Sequence, residues 1–445
     1  MKTSYENALK AMKNTSASFC AAKWYNVSIW LGNGRTASCH HPLAHKIPDK
    51  ELAKSPSALH NTEFKKKQRK MMLEGERPPE CSYCWTAEDA SGGNKEGVYS
   101  DRVYQTARYT DEEIAALKDI PWDKNVNPKT VEICFDNLCN LACSYCNSEF
   151  SSTWAKDITT KGPYENMETF GGKTYRQDGS LAMPFGNKNE GNIYVKRFFD
   201  WFPEIKDGLD ELRVSGGEPS RSPSFWHLLE TCQDEKFDFA VNSNLIMEDD
   251  RLLKLVAASK KFKKFEIYTS AECCGPLQDF VRDGFEWDIW EKNMFALNKE
   301  DSVTTVNIMM TISALSVWGV AEFIEKIVEW RKSTRPDQFY MSLNILRFPS
   351  FQSVNIIDQA NKNVLADRIE STLDKVKDIL RPWELNQITR LTKYLKNVTI
   401  SSEDTDALDK KTGDFKNFTQ QYSVRRKMPI ETHFTSDMLN WYNTL

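Results

Sequence analysis

Excess charge of one sign, a membrane-length apolar run and internal repeats are all missing from this chain, and each absence removes a class of function. Across 445 residues, 27 % of them charged, the formal net charge is only −4. That balance describes an ordinary globular protein and gives no electrostatic case for nucleic acid. The most apolar stretch, Val306 to Ala321, is interrupted by Asn307, Thr311, Ser313 and Ser316, so it reads as strand, loop and helix start rather than a membrane span. The opening MKTSYENALK lacks the apolar core of a signal peptide, and neither end carries a lipidation signal. A cytoplasmic location without a membrane partner is therefore expected.

A disulfide framework is also excluded, because large cytosolic cores do not need staples and the cytosol keeps thiols reduced. The eleven cysteines then call for another explanation, and metal ligation leads. Cys20, Cys39, Cys81 and Cys84 lie in the first fifth of the chain, and Cys134, Cys139, Cys143 and Cys146 crowd into thirteen residues.

Two or three packed units are expected at this length. Residues 1–92 are rich in cysteine, histidine and lysine and end at the polar seam Ser91-Gly92-Gly93-Asn94. Residues 93–128 read as a linker, with a short helix capped by Thr110 and with Pro121 and Pro128 bracketing the connector. Six β segments follow: Thr130 to Phe135, Glu211 to Ser215, Phe237 to Asn242, Phe265 to Ser270, Thr304 to Ile312 and Phe339 to Leu346. Each is separated by enough chain for a crossover helix, which predicts a parallel α/β barrel over 129–350. Val320, Phe323, Ile324, Ile327 and Val328 form one buried helical face, and residues 351–445 read as a helical extension. In parallel barrels the chemistry gathers where strands run into loops.

Cys139-Asn-Leu-Ala-Cys143-Ser-Tyr-Cys146 directly follows the first of these strands. Three thiolates this close suit three corners of an iron–sulfur cube, leaving its fourth iron open. A zinc knot is the alternative, but it needs a fourth ligand. Ser215-Gly216-Gly217-Glu218-Pro219 ends the second strand; its glycines let a ligand approach the backbone, and the carboxylate suits an ammonium group.

Together these motifs resemble the radical S-adenosylmethionine (SAM) superfamily over about residues 128 to 350. The resemblance implies a partial (β/α)6 barrel, a [4Fe-4S] cluster on Cys139, Cys143 and Cys146, and reductive cleavage of SAM to a 5′-deoxyadenosyl radical that abstracts hydrogen. By the same resemblance Gly216, Gly217 and Glu218 hold the methionine amino group, Tyr145 packs near the adenine, and Asn242-Ser243-Asn244 occupies the ribose position. Ser270 and Glu272 end the fourth strand, and Arg282 is similar to the arginine that meets the SAM carboxylate. A plain turn is the alternative for Ser243, and a surface salt bridge explains Arg282 equally well. Cys273 and Cys274 are candidate hydrogen donors, the alternative being small buried hydrophobes.

Cys20, Cys39, Cys81 and Cys84 resemble the twitch half of a SPASM domain, which implies an auxiliary [4Fe-4S] cluster suited to electron transfer, with a donor such as flavodoxin or ferredoxin. Here the module precedes the barrel, and His40 and His41 leave a zinc ribbon open. The basic run Lys65 to Lys70 reads as a solvated helical face. The implied substrate is a peptide side chain or a small polyol, sugar or nucleotide, and the segment Phe150 to Asn192, with Trp154, Tyr164 and Tyr175, is a candidate pocket wall. The rival from another class is a non-catalytic zinc-ribbon protein binding nucleic acid or a protein partner, which leaves Gly216-Gly217-Glu218 without a purpose.

Overall fold

A computed structural model describes residues 2–95, 97–176, 191–397 and 407–445. Among them the strands are β1 (Asn26–Trp30), β2 (Arg35–Ala37), β3 (His45–Lys46), β4 (Thr130–Cys134), β5 (Ala142–Cys143), β6 (Glu211–Ser215), β7 (Glu235–Asn242), β8 (Phe262–Ser270), β9 (Arg282–Asp283), β10 (Val303–Ile312) and β11 (Phe339–Ile345). All six strands expected from sequence form, within three residues at either end. The chain is α/β with a largely parallel, mixed sheet. None of the described helices is long and apolar enough to cross a membrane.

The chain divides into two compact units that do not follow the boundaries expected from sequence. The first comprises Met1–Asp136, Lys188–Ser215 and Gln233–Phe239; the second comprises Asn137–Asn187, Gly216–Cys232 and Ala240–Leu445. In the first unit β1 lies parallel to β4, with Val27 opposite Val131, and β4 lies parallel to β6. β2 and β3 extend this sheet antiparallel. Residues 26–46 thus join the main sheet, where sequence had suggested a separate cysteine-rich domain. The 93–128 segment, read as a linker, carries helices Asp101–Thr106 and Asp111–Ala116. Its Val103, Tyr109, Ile114 and Leu117 are buried in one cluster with Met12, Phe19 and Trp24. That burial makes it part of a core.

In the second unit β8, β10 and β11 are parallel neighbours. Phe265, Ile267, Val306, Ile308, Met310, Phe339 and Met341 alternate onto one buried face. Tyr268, Ser270, Asn307, Thr311, Tyr340 and Asn344 take the other, as a period of two dictates. Helix Val320–Trp330 buries Val320, Phe323, Ile324, Ile327 and Val328, the face read from sequence. Within the helical extension expected over 351–445, helices run from Gln359 to Val376, Pro382 to Lys396 and Leu408 to Arg426.

Candidate functional site

The cysteine loop is pinned by backbone pairing. β5 and β9 form a two-stranded antiparallel ribbon in which Cys143 faces Arg282. Nη1 of Arg282 points at the Cys143 sulfur (3.4 Å), and Nε donates to Oε2 of Glu272 (2.8 Å). Nη2 donates to Oε1 of Glu272 (2.7 Å) and to the Tyr145 hydroxyl, which itself donates to Oε1 of Glu272 (2.9 Å). Glu272 is 0 % exposed and Arg282 7 %, so the charges neutralise each other out of water, where an unpaired partner would cost several kcal/mol. Sequence had suggested Arg282 for the SAM carboxylate and Tyr145 for the adenine. Here both brace the cysteine loop.

Burial pushes the Cys139 thiol up to about 12 and also raises Cys146, with Cys143 adding to both as a like charge. Cys143 is raised by burial too, against the lowering influence of Arg282. Among the described residues no three His, Cys, Asp or Glu side chains converge closely enough to hold a single metal ion.

The glycine motif lies directly on this loop. A Cβ at Gly217 would stand 2.4 Å from the Leu138 carbonyl oxygen and 2.8 Å from the Asn137 carbonyl carbon, distances only glycine avoids. Gly216 has φ +127°, a conformation that side chains resist. Glu218 is 1 % exposed, and its amide donates to Leu138 O (2.6 Å). Its carboxylate accepts from Ser220 N (3.0 Å), Ser243 Oγ (2.8 Å) and Asn244 N (2.6 Å). Burial raises its pKa, while these donors pull it back. Asn244 closes the ring by donating to Asn140 Oδ1 (2.9 Å). The cysteine, glycine and Asn-Ser-Asn segments, dispersed in sequence, therefore form one hydrogen-bonded site, with Asn242 half-buried at the end of β7. Ser270 sits half-buried on the polar face of β8.

Cys273 and Cys274 separate in character. Cys273 is fully enclosed, its amide and thiol both turned to Oε1 of Gln278 (3.1 and 3.5 Å), and its Cβ is where a side chain on Gly319 would fall. That is the setting of a packed core thiol, the alternative that its sequence offered beside a hydrogen-donor role. Cys274 is partly exposed, with Lys326, Glu322 and Glu291 as its charged neighbours.

Sequence missed the scaffold of the cysteine loop. Thr153 Oγ1 donates to Cys139 O (2.6 Å), Ser151 Oγ to Leu141 O (2.8 Å) and Tyr422 OH to Ala142 O (2.7 Å). Trp154 Nε1 donates to Cys143 O (2.9 Å), while Tyr175 OH (2.9 Å) and Gln352 Nε2 (2.8 Å) share Ser144 O. Trp154, Tyr164 and Tyr175, suggested as a pocket wall, are at most 1 % exposed and pack with Phe418 and Tyr422. They are core; Trp154 and Tyr175 satisfy the loop's carbonyls, and the Tyr164 hydroxyl accepts from Arg426 Nη1 (2.8 Å). Residues 177–190 of that segment lie outside the described residues.

In the first unit Cys20, Cys39, Cys81 and Cys84 line one small hollow, with Lys23, His41, Asp101 and Arg102. His41 stacks on Tyr83 at 3.7 Å and meets Asp101 Oδ2 at 3.1 Å; His40 meets Glu132 at 3.4 Å. Burial raises Cys20 to about 12 and Cys39 to about 11.

No protein-family model matches the chain, and no curated protein does. Among solved structures, hexahistidine-tagged anSMEcpe with bound AdoMet is similar at 11 % identity and TM-score 0.30, over 54 % of this chain and 58 % of that one. The chain thus matches little more than half the length of that structure. SuiB of Streptococcus suis bound to S-adenosylmethionine matches at 15 % identity and TM-score 0.35, over 79 % of this chain and 69 % of that one. Native anSMEcpe with bound AdoMet matches at 11 % and 0.32, over 70 % and 98 %.

Proposed function

We propose that the chain is a radical SAM enzyme: Cys139, Cys143 and Cys146 hold a [4Fe-4S] cluster, and SAM binds beside it against Gly216-Gly217-Glu218 and Asn242-Ser243-Asn244. One observation carries the reading. The backbone of the cysteine loop and the Gly217 backbone touch with no room for a Cβ, which joins a three-thiol ligand set to a buried carboxylate in one site.

The residues fit the cluster. Cys139, Cys143 and Cys146 share one loop braced by the β5–β9 ribbon and packed against the glycine motif, a three-thiol set that suits three corners of a cube, where a zinc site would need a fourth ligand. When bound, the cluster would supply the electron that cleaves SAM to a 5′-deoxyadenosyl radical. The chain's own residues do the rest. Arg282 offers its guanidinium to the Cys143 sulfur, and Glu272 and Tyr145 keep that guanidinium aimed. The Glu218 carboxylate suits the methionine ammonium group, and Ser243 and Asn244 suit vicinal hydroxyls once its hydrogen bonds are shared. The polar face of β8, β10 and β11 offers hydroxyls and amides to a hydrogen-bonding substrate.

In the first unit the four thiols around one hollow fit an auxiliary [4Fe-4S] cluster, fully ligated by cysteine and so suited to electron transfer, with a flavodoxin- or ferredoxin-like donor in the cytoplasm. The test is SAM cleavage under dithionite. Cys143→Ala should abolish 5′-deoxyadenosine formation, while Cys84→Ala should retain it without substrate. Equal behaviour of the two variants would overturn the two-cluster reading.

A further inference from the structure

The guanidinium of Arg282 points in two directions. Nε and Nη2 grip the two carboxylate oxygens of Glu272, at 2.8 and 2.7 Å, and Nη2 also reaches the Tyr145 hydroxyl. Among the described residues the partner of Nη1 is the Cys143 sulfur, at 3.4 Å, and the whole residue is buried. A neutral thiol is a poor acceptor, whereas a thiolate takes a charge-assisted hydrogen bond. In a side chain this buried, an arm aimed at sulfur is well satisfied only when that sulfur carries charge, as it does when it ligates iron.

Backbone contacts fix that aim. Cys143 and Arg282 are register partners in the β5–β9 ribbon, and Ser144 N donates to Val281 O (2.8 Å) beside them. Phe285 N donates to Arg282 O (2.9 Å), closing a turn through Gly284, whose φ is +90°. A Cβ on Gly284 would stand 3.0 Å from Asn140 O and 3.1 Å from Leu141 Cδ2, so the turn lies directly against the cysteine loop. Glu272 is held in its turn, its amide donating to Gln278 Oε1 (3.1 Å), and its carboxylate neutralises the Arg282 charge. At the Cys139 sulfur the corresponding donor is the neutral Leu141 amide (3.4 Å). Arg282 therefore acts on one thiol by contact and direction, and not as a general positive field.

We infer that Arg282 is a positioning residue that sets the reduction potential of the cluster on Cys139, Cys143 and Cys146, its N–H to the Cys143 sulfur favouring the reduced form. The inference rests on the reading of those three thiols as ligands of a [4Fe-4S] cluster. One electron from a flavodoxin- or ferredoxin-like donor adds to such a cluster without breaking a bond, and it leaves the ligand sulfurs more negative. A hydrogen bond at one of them strengthens with that charge, so it stabilises the reduced state over the oxidised one and raises the potential. Reduction then comes within easier reach of the donor, ahead of SAM cleavage.

The experiment uses the full chain, reconstituted anaerobically and titrated with dithionite in the absence of SAM, the reduced cluster being read by EPR. The signal of this site is the one that the variant with alanine at Cys139, Cys143 and Cys146 lacks. Removing Arg282 alone would strand Glu272 as a buried charge, so the variant is Arg282→Gln with Glu272→Gln, which keeps the pair neutral and shortens the side chain at 282. It should hold its iron and titrate at a more negative potential than wild type. Glu272→Gln alone, which keeps the guanidinium and removes its neutralising charge, should titrate at a more positive one. Two variants that differ only at residue 282 then shift in opposite directions, which general damage to the fold would not produce. If the double variant holds no iron, Arg282→Lys, which keeps a cation for Glu272 and loses the arm to the sulfur, takes its place with the same expected shift; iron missing from both limits Arg282 to holding the fold and overturns the proposal. Iron retained with an unchanged or more positive potential also overturns it, and leaves Arg282 to act on SAM alone. A triple alanine variant that loses no signal removes the cluster reading and the proposal with it.

Discussion

Gly217 and Arg282 act on one loop by different means, the first by having no side chain and the second by having the longest fork available. At Gly217 the nearest atoms to an added methyl group are backbone, Leu138 O at 2.4 Å and Asn137 C at 2.8 Å, so nothing can swing aside. Gly217→Ala should therefore cost ~1–3 kcal/mol of stability by overpacking and displace the cysteine loop. SAM affinity, measured by equilibrium dialysis, should fall by about tenfold or more, the equivalent of ~1.4 kcal/mol; an alanine variant with parental affinity would separate the glycine from the site. The motifs themselves were legible because each is local in sequence. What Arg282 and Tyr145 do was not, because their partners Cys143 and Glu272 lie 139 and 127 residues away. Lys65 and Arg69 are buried, which was hidden for another reason: a run of cations reads as a wet surface, and only the four-residue spacing they share, continued by Gln68 and Met72 on the same buried face, signals otherwise.

At the scale of elements, the cysteine loop depends on segments that carry no ligand. Helix Ser152–Lys161 supplies Trp154, helix Leu408–Arg426 supplies Tyr422, and each gives one hydrogen bond to a loop carbonyl from a completely buried aromatic. Tyr422→Phe should leave the packing and remove only the bond to Ala142 O, so a buried acceptor goes unpaired at ~1–3 kcal/mol. Differential scanning fluorimetry should show a lowered Tm, and the variant should lose iron faster than wild type under a chelator; unchanged iron retention would reduce Tyr422 to packing. The six expected strands were readable from alternation and spacing. β1 was not, since Asn26–Trp30 lies among cysteines and lysines that drew a different reading, and it is buried by β4, a strand some hundred residues on. The aromatic residues of the segment after Phe150 were visible, but only burial shows that they support the site from below its surface instead of lining it.

For the molecule as a whole, sequence order and spatial order part company. The first unit takes three separate stretches of chain, because parallel pairing joins β1, β4 and β6 across long intervals. Boundaries placed at composition changes cannot follow such crossings, which is why 93–128 looked like a linker although Tyr109 and Ile114 are fully buried. Each unit nevertheless gathers one cysteine set: three on a braced loop in the second, four around a hollow in the first. The measurement that tests this account most directly is the iron and acid-labile sulfide content of anaerobically reconstituted protein, with wild type beside the variant carrying alanine at Cys139, Cys143 and Cys146. Two [4Fe-4S] sites predict about eight irons falling to about four. Zinc in place of iron, or an iron content that the triple substitution leaves untouched, would contradict the account.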